Sequence, residues 1–165
     1  MDAGQTRVLN RVAGLFRRRN FNIESLAVGH SETPGISRMT FVANGTVRDM
    51  RQVTTQLDKL INVTGIEDVT DKPSLIRELV LIKVKANSQN RHEVIQIAEL
   101  HGGKIADIAI ESLVVQIVGR PDKVNSLIKL MQYFGIIEMV RTGAVAMVRA
   151  EEKVPNQLKG GCKVS

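Results

Sequence analysis

Apolar positions recur along this chain in two rhythms, one every three or four residues and one every second residue, and their order predicts its elements. Val8, Leu9, Val12, Leu15 and Phe16 follow the helical rhythm. Arg17, Arg18, Arg19 and Asn20 then carry the chain out of the core, and Asn20 can close the helix because asparagine tolerates the left-handed conformation. Residues 23–29 predict a strand. His30-Ser31-Glu32-Thr33-Pro34-Gly35 reads as a hairpin loop, with Pro-Gly as its turn signal. In residues 36–43, Ser37, Met39, Phe41 and Ala43 alternate with Arg38, Thr40 and Val42, as in a strand with one buried face. Asn44-Gly45 breaks that run. Met50, Val53, Leu57, Leu60 and Ile61 predict a second amphipathic helix, and residues 63–69 a closing strand.

Asp71-Lys72-Pro73-Ser74 is a polar break with a proline, the kind of connection that separates two compact units. Beyond it, residues 79–86 predict a strand. Residues 91–100 predict a helix with Val94, Ile97 and Ala98 on one side, ended by His101-Gly102-Gly103. Residues 105–110 and 113–118 predict a tight hairpin around Glu111-Ser112, although neither turn residue is a favoured glycine or asparagine. Pro121 suits the first turn of a further helix whose Val124, Leu127, Ile128 and Met131 face inward, and Gly135 stops it. Residues 136–149 are β-rich and interrupted at Thr142-Gly143.

The second unit thus reads strand, helix, strand, strand, helix, strand, and the first reads the same with its opening strand absent. The expected fold class is α+β, with two tandem ferredoxin-like βαββαβ units, each placing two helices on one face of an antiparallel sheet. The expected domains are residues 1–72, incomplete at the N-terminus, residues 75–149, and a polar tail over 150–165. An absent opening strand leaves strand edges unpaired and invites a partner chain.

Composition narrows the function classes. No apolar run reaches the roughly 18 residues of a membrane span, and the N-terminus lacks the order of a signal peptide, so the chain is expected to be soluble. One cysteine, Cys162, permits neither a disulfide within one chain nor a multi-cysteine metal site. A net charge of +6 raises the question of nucleic acid, and an RNA-binding module on the same four-stranded topology is the alternative reading. Scattered basic residues and 3% aromatics speak against it, since little is available to stack on bases.

Catalytic patterns are missing. His30, His92 and His101 have no ligand spacing, and no nucleophile elbow, phosphate loop or dinucleotide fingerprint occurs. Glu151-Glu152 lies in the polar tail, where nothing would raise a carboxyl pKa. The junction at Asn22 is the most informative position. Its amide either reads a small polar ligand beside a strand end or ties off the turn through its own backbone.

Several stretches carry a family resemblance. Asn10-Arg11-Val12-Ala13-Gly14-Leu15-Phe16, Arg18-Arg19, Phe21-Asn22-Ile23-Glu24-Ser25-Leu26-Ala27-Val28-Gly29 and Ser37-Arg38-Met39-Thr40 resemble the N-terminal ACT domain of the acetohydroxyacid synthase small, regulatory subunit. Gln56-Leu57-Asp58-Lys59-Leu60-Ile61-Asn62-Val63, Arg77-Glu78-Leu79-Val80-Leu81-Ile82-Lys83-Val84 and Val140-Arg141-Thr142-Gly143 follow in the family's order. The resemblance implies a non-catalytic chain that binds and activates a large catalytic subunit and makes it sensitive to valine, leucine or isoleucine. It implies no cofactor in this chain; thiamine diphosphate, magnesium and FAD would belong to the catalytic partner. It also implies a homodimer through ACT domains, no nucleic acid or membrane partner, and a location in bacterial cytoplasm or plastid stroma. Asn22 and Ile23 match the family's effector-binding junction. Where the family carries an acidic residue and then glycine before the first helix, this chain has Gln5-Thr6-Arg7, with Arg7 at the glycine position, which implies weak effector binding.

Overall fold

A computed structural model describes Val12, Gly14 and residues 22–150. The described chain divides into two compact units: one runs to Leu75 and takes in the residues from Met147, and the other is Ile76–Ala146.

In the first unit Val12 and Gly14 are helical, and the rest of the predicted first helix lies outside the described residues. Strand β1 (Asn22–His30) pairs antiparallel with β2 (Ser37–Asn44), from Asn22 opposite Asn44 to His30 opposite Ser37. The turn between them closes through Ile36 N–H to Thr33 O at 3.1 Å, and Gly35 takes φ +81°, which a side chain would strain. Helix α1 (Val47–Asp58) starts from a reciprocal cap: Asp49 N–H donates to the Thr46 hydroxyl at 3.3 Å, and Thr46 N–H donates to the Asp49 carboxylate at 2.8 Å. The helix buries Val53 and Leu57 with Val12, and Ile23, Phe41, Ala43, Leu60 and Ile66 pack around them.

Two expectations fail here. Ile61 was expected on the buried face of this helix, but α1 ends at Asp58 and Ile61 is 92% exposed. The chain turns away at that point, with Leu60 N–H bonded to Leu57 O and Val63 N–H to Leu60 O. Residues 63–69 form no strand. Their apolar members Val63, Ile66 and Val69 recur every third position rather than every second, so one pleated face cannot collect them. In the second unit the closing strand takes its hydrogen bonds from the opening one, and no strand precedes β1 among the described residues of the first.

The second unit is built on β3 (Ser74–Lys85), whose first two residues fall within the first unit, followed by α2 (Arg91–Leu100), β4 (Lys104–Ile108), β5 (Ser112–Gly119), α3 (Pro121–Phe134), β6 (Ile136–Arg141) and β7 (Val145–Val148), which runs across the boundary. The sheet runs β4, β5, β3, β6, and β7 also pairs with β3. With β7 as a neighbour the strand starts at Ser74, earlier than alternation suggested, so the expected linker already contributes to the sheet. Val80, Ile82 and Val84 point inward from β3 and Leu113, Val115 and Ile117 from β5. Val94 and Ala98 of α2 and Val124, Leu127, Ile128 and Met131 of α3 cover them. Each valine, leucine, isoleucine or methionine among them contributes about 1.5 to 3 kcal/mol on burial. The helix-facing residues read from the sequence in α2 and α3 are those found in or against this core.

Two glycines do specific work at the end of α2. Gly102 takes φ +73°, and a Cβ on Gly103 would lie 3.0 Å from Ala98 O and 3.2 Å from Val115 Cγ1. The β4–β5 hairpin, which lacks favoured turn residues, is held from outside: the Arg91 guanidinium donates to Ala109 O at 2.8 Å and also to Ile110 O. Strand β4 accordingly stops at Ile108, leaving Ile110 at an exposed tip.

The cap of α1 makes a testable statement about acid stability. The Thr46 hydroxyl and then the Thr46 N–H hold the Asp49 carboxyl below its ordinary value of 3.8. A lowered folded pKa contributes stability that is present above the unfolded value and lost as pH falls through the folded one. Thr46→Ala is expected to lower stability at neutral pH. Urea unfolding should show that difference shrinking below pH 3.8, the ordinary carboxyl value; a difference independent of pH would contradict the cap.

Candidate functional site

Asn22 is the first residue of β1 and the register partner of Asn44, the last of β2. Ile23 lies opposite Ala43, half-buried against the cluster of Val12, Val53 and Leu57. The ladder then breaks step: Ile23 pairs with Ala43 and Ser25 with Val42, so Glu24 is an extra residue on β1. Such a bulge bends the strand and re-aims neighbouring side chains. The Asn44 side-chain amide donates to the Glu24 carboxylate across the strands. After Asn44 the chain enters α1 through Gly45, where a Cβ would lie 3.0 Å from Met50 Cε and 3.2 Å from Asp49 Cβ. The start of β1, the end of β2 and the start of α1 thus meet at one corner, with an apolar floor at Ile23 and a carboxylate and an amide from Glu24 and Asn44.

Both candidate residues, Asn22 and Ile23, are therefore adjacent at a strand end. Gln5, Thr6 and Arg7, expected as the opposite wall, lie outside the described residues. Glu24 and Asn44 escaped the sequence reading, because alternation does not reveal a bulge and Asn44-Gly45 signals only a break. Among the described residues no group of three or more His, Cys, Asp or Glu is placed to hold a metal ion. His101 sits at the end of α2 with Nδ1 3.0 Å from Ile97 O. The sheet strands β4 and β5 contain no aromatic residue. The outward positions Leu81, Val118 and Val140 are aliphatic and exposed, which offers bases nothing to stack on. No described helix is long and apolar enough to cross a membrane.

The two motif stretches of the second unit meet in space. The Arg141 guanidinium donates to the carboxylate of Glu78, which is only 4% exposed. Thr142 N–H donates to Leu79 O at 3.1 Å, and Leu79 N–H donates to the Thr142 hydroxyl at 3.1 Å. Gly143 follows at φ +82°, turning the chain toward β7. These residues close the sheet, which gives the motif a structural reason.

An ACT-type unit joined to a second ferredoxin-like unit defines a class of regulatory small subunits, and comparison with known proteins places the chain within it. Residues 5–65 match the family described as AHAS small subunit-like ACT domain, and residues 77–150 match the small subunit of acetolactate synthase. The chain is 46% identical over 143 residues to a probable acetolactate synthase small subunit of Methanothermobacter thermautotrophicus, covering 86% of this chain and 85% of that protein. It is 42% identical over 147 residues to the acetolactate synthase small subunit of Bacillus subtilis, covering 88% and 86%. The crystal structure of the acetolactate synthase small subunit from Thermotoga maritima aligns with a TM-score of 0.78 at 38% identity, covering 88% of this chain and 91% of that one. The chain belongs to the acetolactate synthase small-subunit family.

Removing one partner of the Glu78–Arg141 pair leaves a charge without its counterion. Arg141→Met should destabilise the second unit by about 3 kcal/mol, and the double replacement Glu78→Leu with Arg141→Leu should recover most of that loss. Urea unfolding of the two variants checks both figures; equal stability of Arg141→Met and the parent chain would show that the pair contributes nothing.

Proposed function

We propose that this chain is the regulatory subunit that binds and activates the catalytic subunit of acetohydroxyacid synthase and confers feedback control by valine, leucine or isoleucine. The observation that carries the reading is that both halves match the small-subunit family while Asn22 and Ile23 stand side by side at a strand end of the ACT-type half. Thiamine diphosphate, magnesium and FAD belong to the catalytic partner in this reading, and this chain holds no cofactor. The second unit, with a complete core of its own, is the docking module.

Effector binding takes place at the Asn22–Ile23 junction, across a homodimer formed through the ACT domains. A branched amino acid needs hydrogen bonds for its charged ends and burial for its methyl groups, and a polar strand end above Ile23 suits both needs. The sequence carries Arg7 where the family carries glycine. An unsatisfied charged end costs about 1 to 3 kcal/mol, so affinity is about tenfold to a hundredfold weaker than with a complete wall.

Adding the full chain to the catalytic subunit should raise acetohydroxyacid formation, with inhibition only at high valine. Asn22→Ala should abolish the residual valine response without abolishing activation. An unchanged rate at saturating chain would refute the regulatory reading, and tight valine binding by the parent chain would refute the argument from Arg7.

A further inference from the structure

At the corner that holds Asn22 and Ile23 the strand pair is out of step by one residue, and a bulge of this kind has an alternative. Side chains alternate between faces, so closing the bulge, with Glu24 opposite Ala43 and Ile23 opposite Asn44, would exchange the faces occupied by the first residues of β1. Ile23 would then leave the cluster of Val12, Val53 and Leu57, and the position of Asn22 opposite Asn44 would be lost. A side-chain interaction distinguishes the observed register from its alternative. The Asn44 amide donates to the carboxylate of Glu24, the extra residue itself, and the bond joins positions 20 apart in sequence across the two strands. A charge-assisted hydrogen bond of this type is stronger than a neutral one and directional. Asn44 is also two residues from the Thr46 cap, so the same bond links the strand register to the start of α1.

We propose that Glu24 and Asn44 are positioning residues of the effector site, their hydrogen bond selecting the register in which the Asn22–Ile23 junction meets the amino acid. The inference rests on reading Asn22 and Ile23 as that junction. It assigns no contact with the effector to Glu24 or Asn44. Their effect passes through the backbone, and what Glu24 must supply is an acceptor oxygen rather than a charge.

The test is a titration of the full chain with valine, leucine and isoleucine, followed by amide chemical shifts and calorimetry, for the parent chain, Glu24→Ala, Glu24→Gln, Asn44→Ala and Asn22→Ala. Glu24→Ala and Asn44→Ala should weaken binding by about three- to tenfold, the range expected for loss of one solvent-exposed charge-assisted hydrogen bond. Glu24→Gln keeps the acceptor and should bind close to the parent. The cross-strand contact between the Asn22 and Asn44 backbones, followed by nuclear Overhauser effects, should weaken in Glu24→Ala and persist in Glu24→Gln. Parent-like binding by Glu24→Ala and Asn44→Ala, with loss in Asn22→Ala, would overturn the clamp and leave the effector site standing. Equal losses in Glu24→Gln and Glu24→Ala would overturn it in favour of a direct charge contact. Absence of any shift in the parent chain at millimolar concentrations of all three amino acids would overturn the effector reading and the clamp together.

Discussion

The inward face of β3 is the constraint on which the second unit depends. Val80, Ile82 and Val84 are fully buried there, between the inward residues of β5 and the covering helices α2 and α3. The same strand supplies hydrogen bonds to β5 on one side and to β6 and β7 on the other. Within this sheet β5, β6 and β7 therefore take their register from β3. Its fourth inward position is Glu78 rather than an aliphatic residue, and the sheet accommodates that carboxylate by bringing Arg141 to it from β6. A buried carboxylate without its counterion would cost several kcal/mol, so β6 has to end where Arg141 can reach.

The described part of the first unit has a smaller buried cluster. Among its described residues the buried cluster consists of Val12, Val53 and Leu57, with Ile23, Phe41, Ala43, Leu60 and Ile66 around it. Two strands ladder only with each other, and residues 63–69 run without a strand partner. Local devices carry more of the order here: the reciprocal cap of Thr46 and Asp49, the glycine turn at Gly35, and the bond from Asn44 to Glu24. A strand pair with few buried contacts opens at lower free energy than one inside a full core.

Much of this was legible in the sequence, and the failures have physical causes. Helix α2 spans the residues that its periodicity predicted, and Pro121 and Gly135 bracket α3 because one fits a first turn and the other adopts φ +93°. Strand existence was readable wherever the core enforced alternation, as in β2, β3 and β5. Residues 63–69 are apolar enough for a strand, but their spacing of three does not fit a pleated face. Ile61 misled because periodicity continues past the point where the backbone turns. At the candidate site, Asn22 and Ile23 were visible through family resemblance, whereas Glu24 and Asn44 became visible only through the register of β1 on β2, a nonlocal property.

The account separates the sheet organised by β3, with its full core, from the β1–β2 ladder, whose described residues contribute little to a buried cluster. Native-state hydrogen exchange on the full chain tests that division directly. The amides of Val80, Ile82 and Val84 should be among the last to exchange, at the free energy of global unfolding of their unit, while those of β1 and β2 exchange through openings of clearly lower free energy. Protection of the β1–β2 amides equal to that of β3 would contradict it.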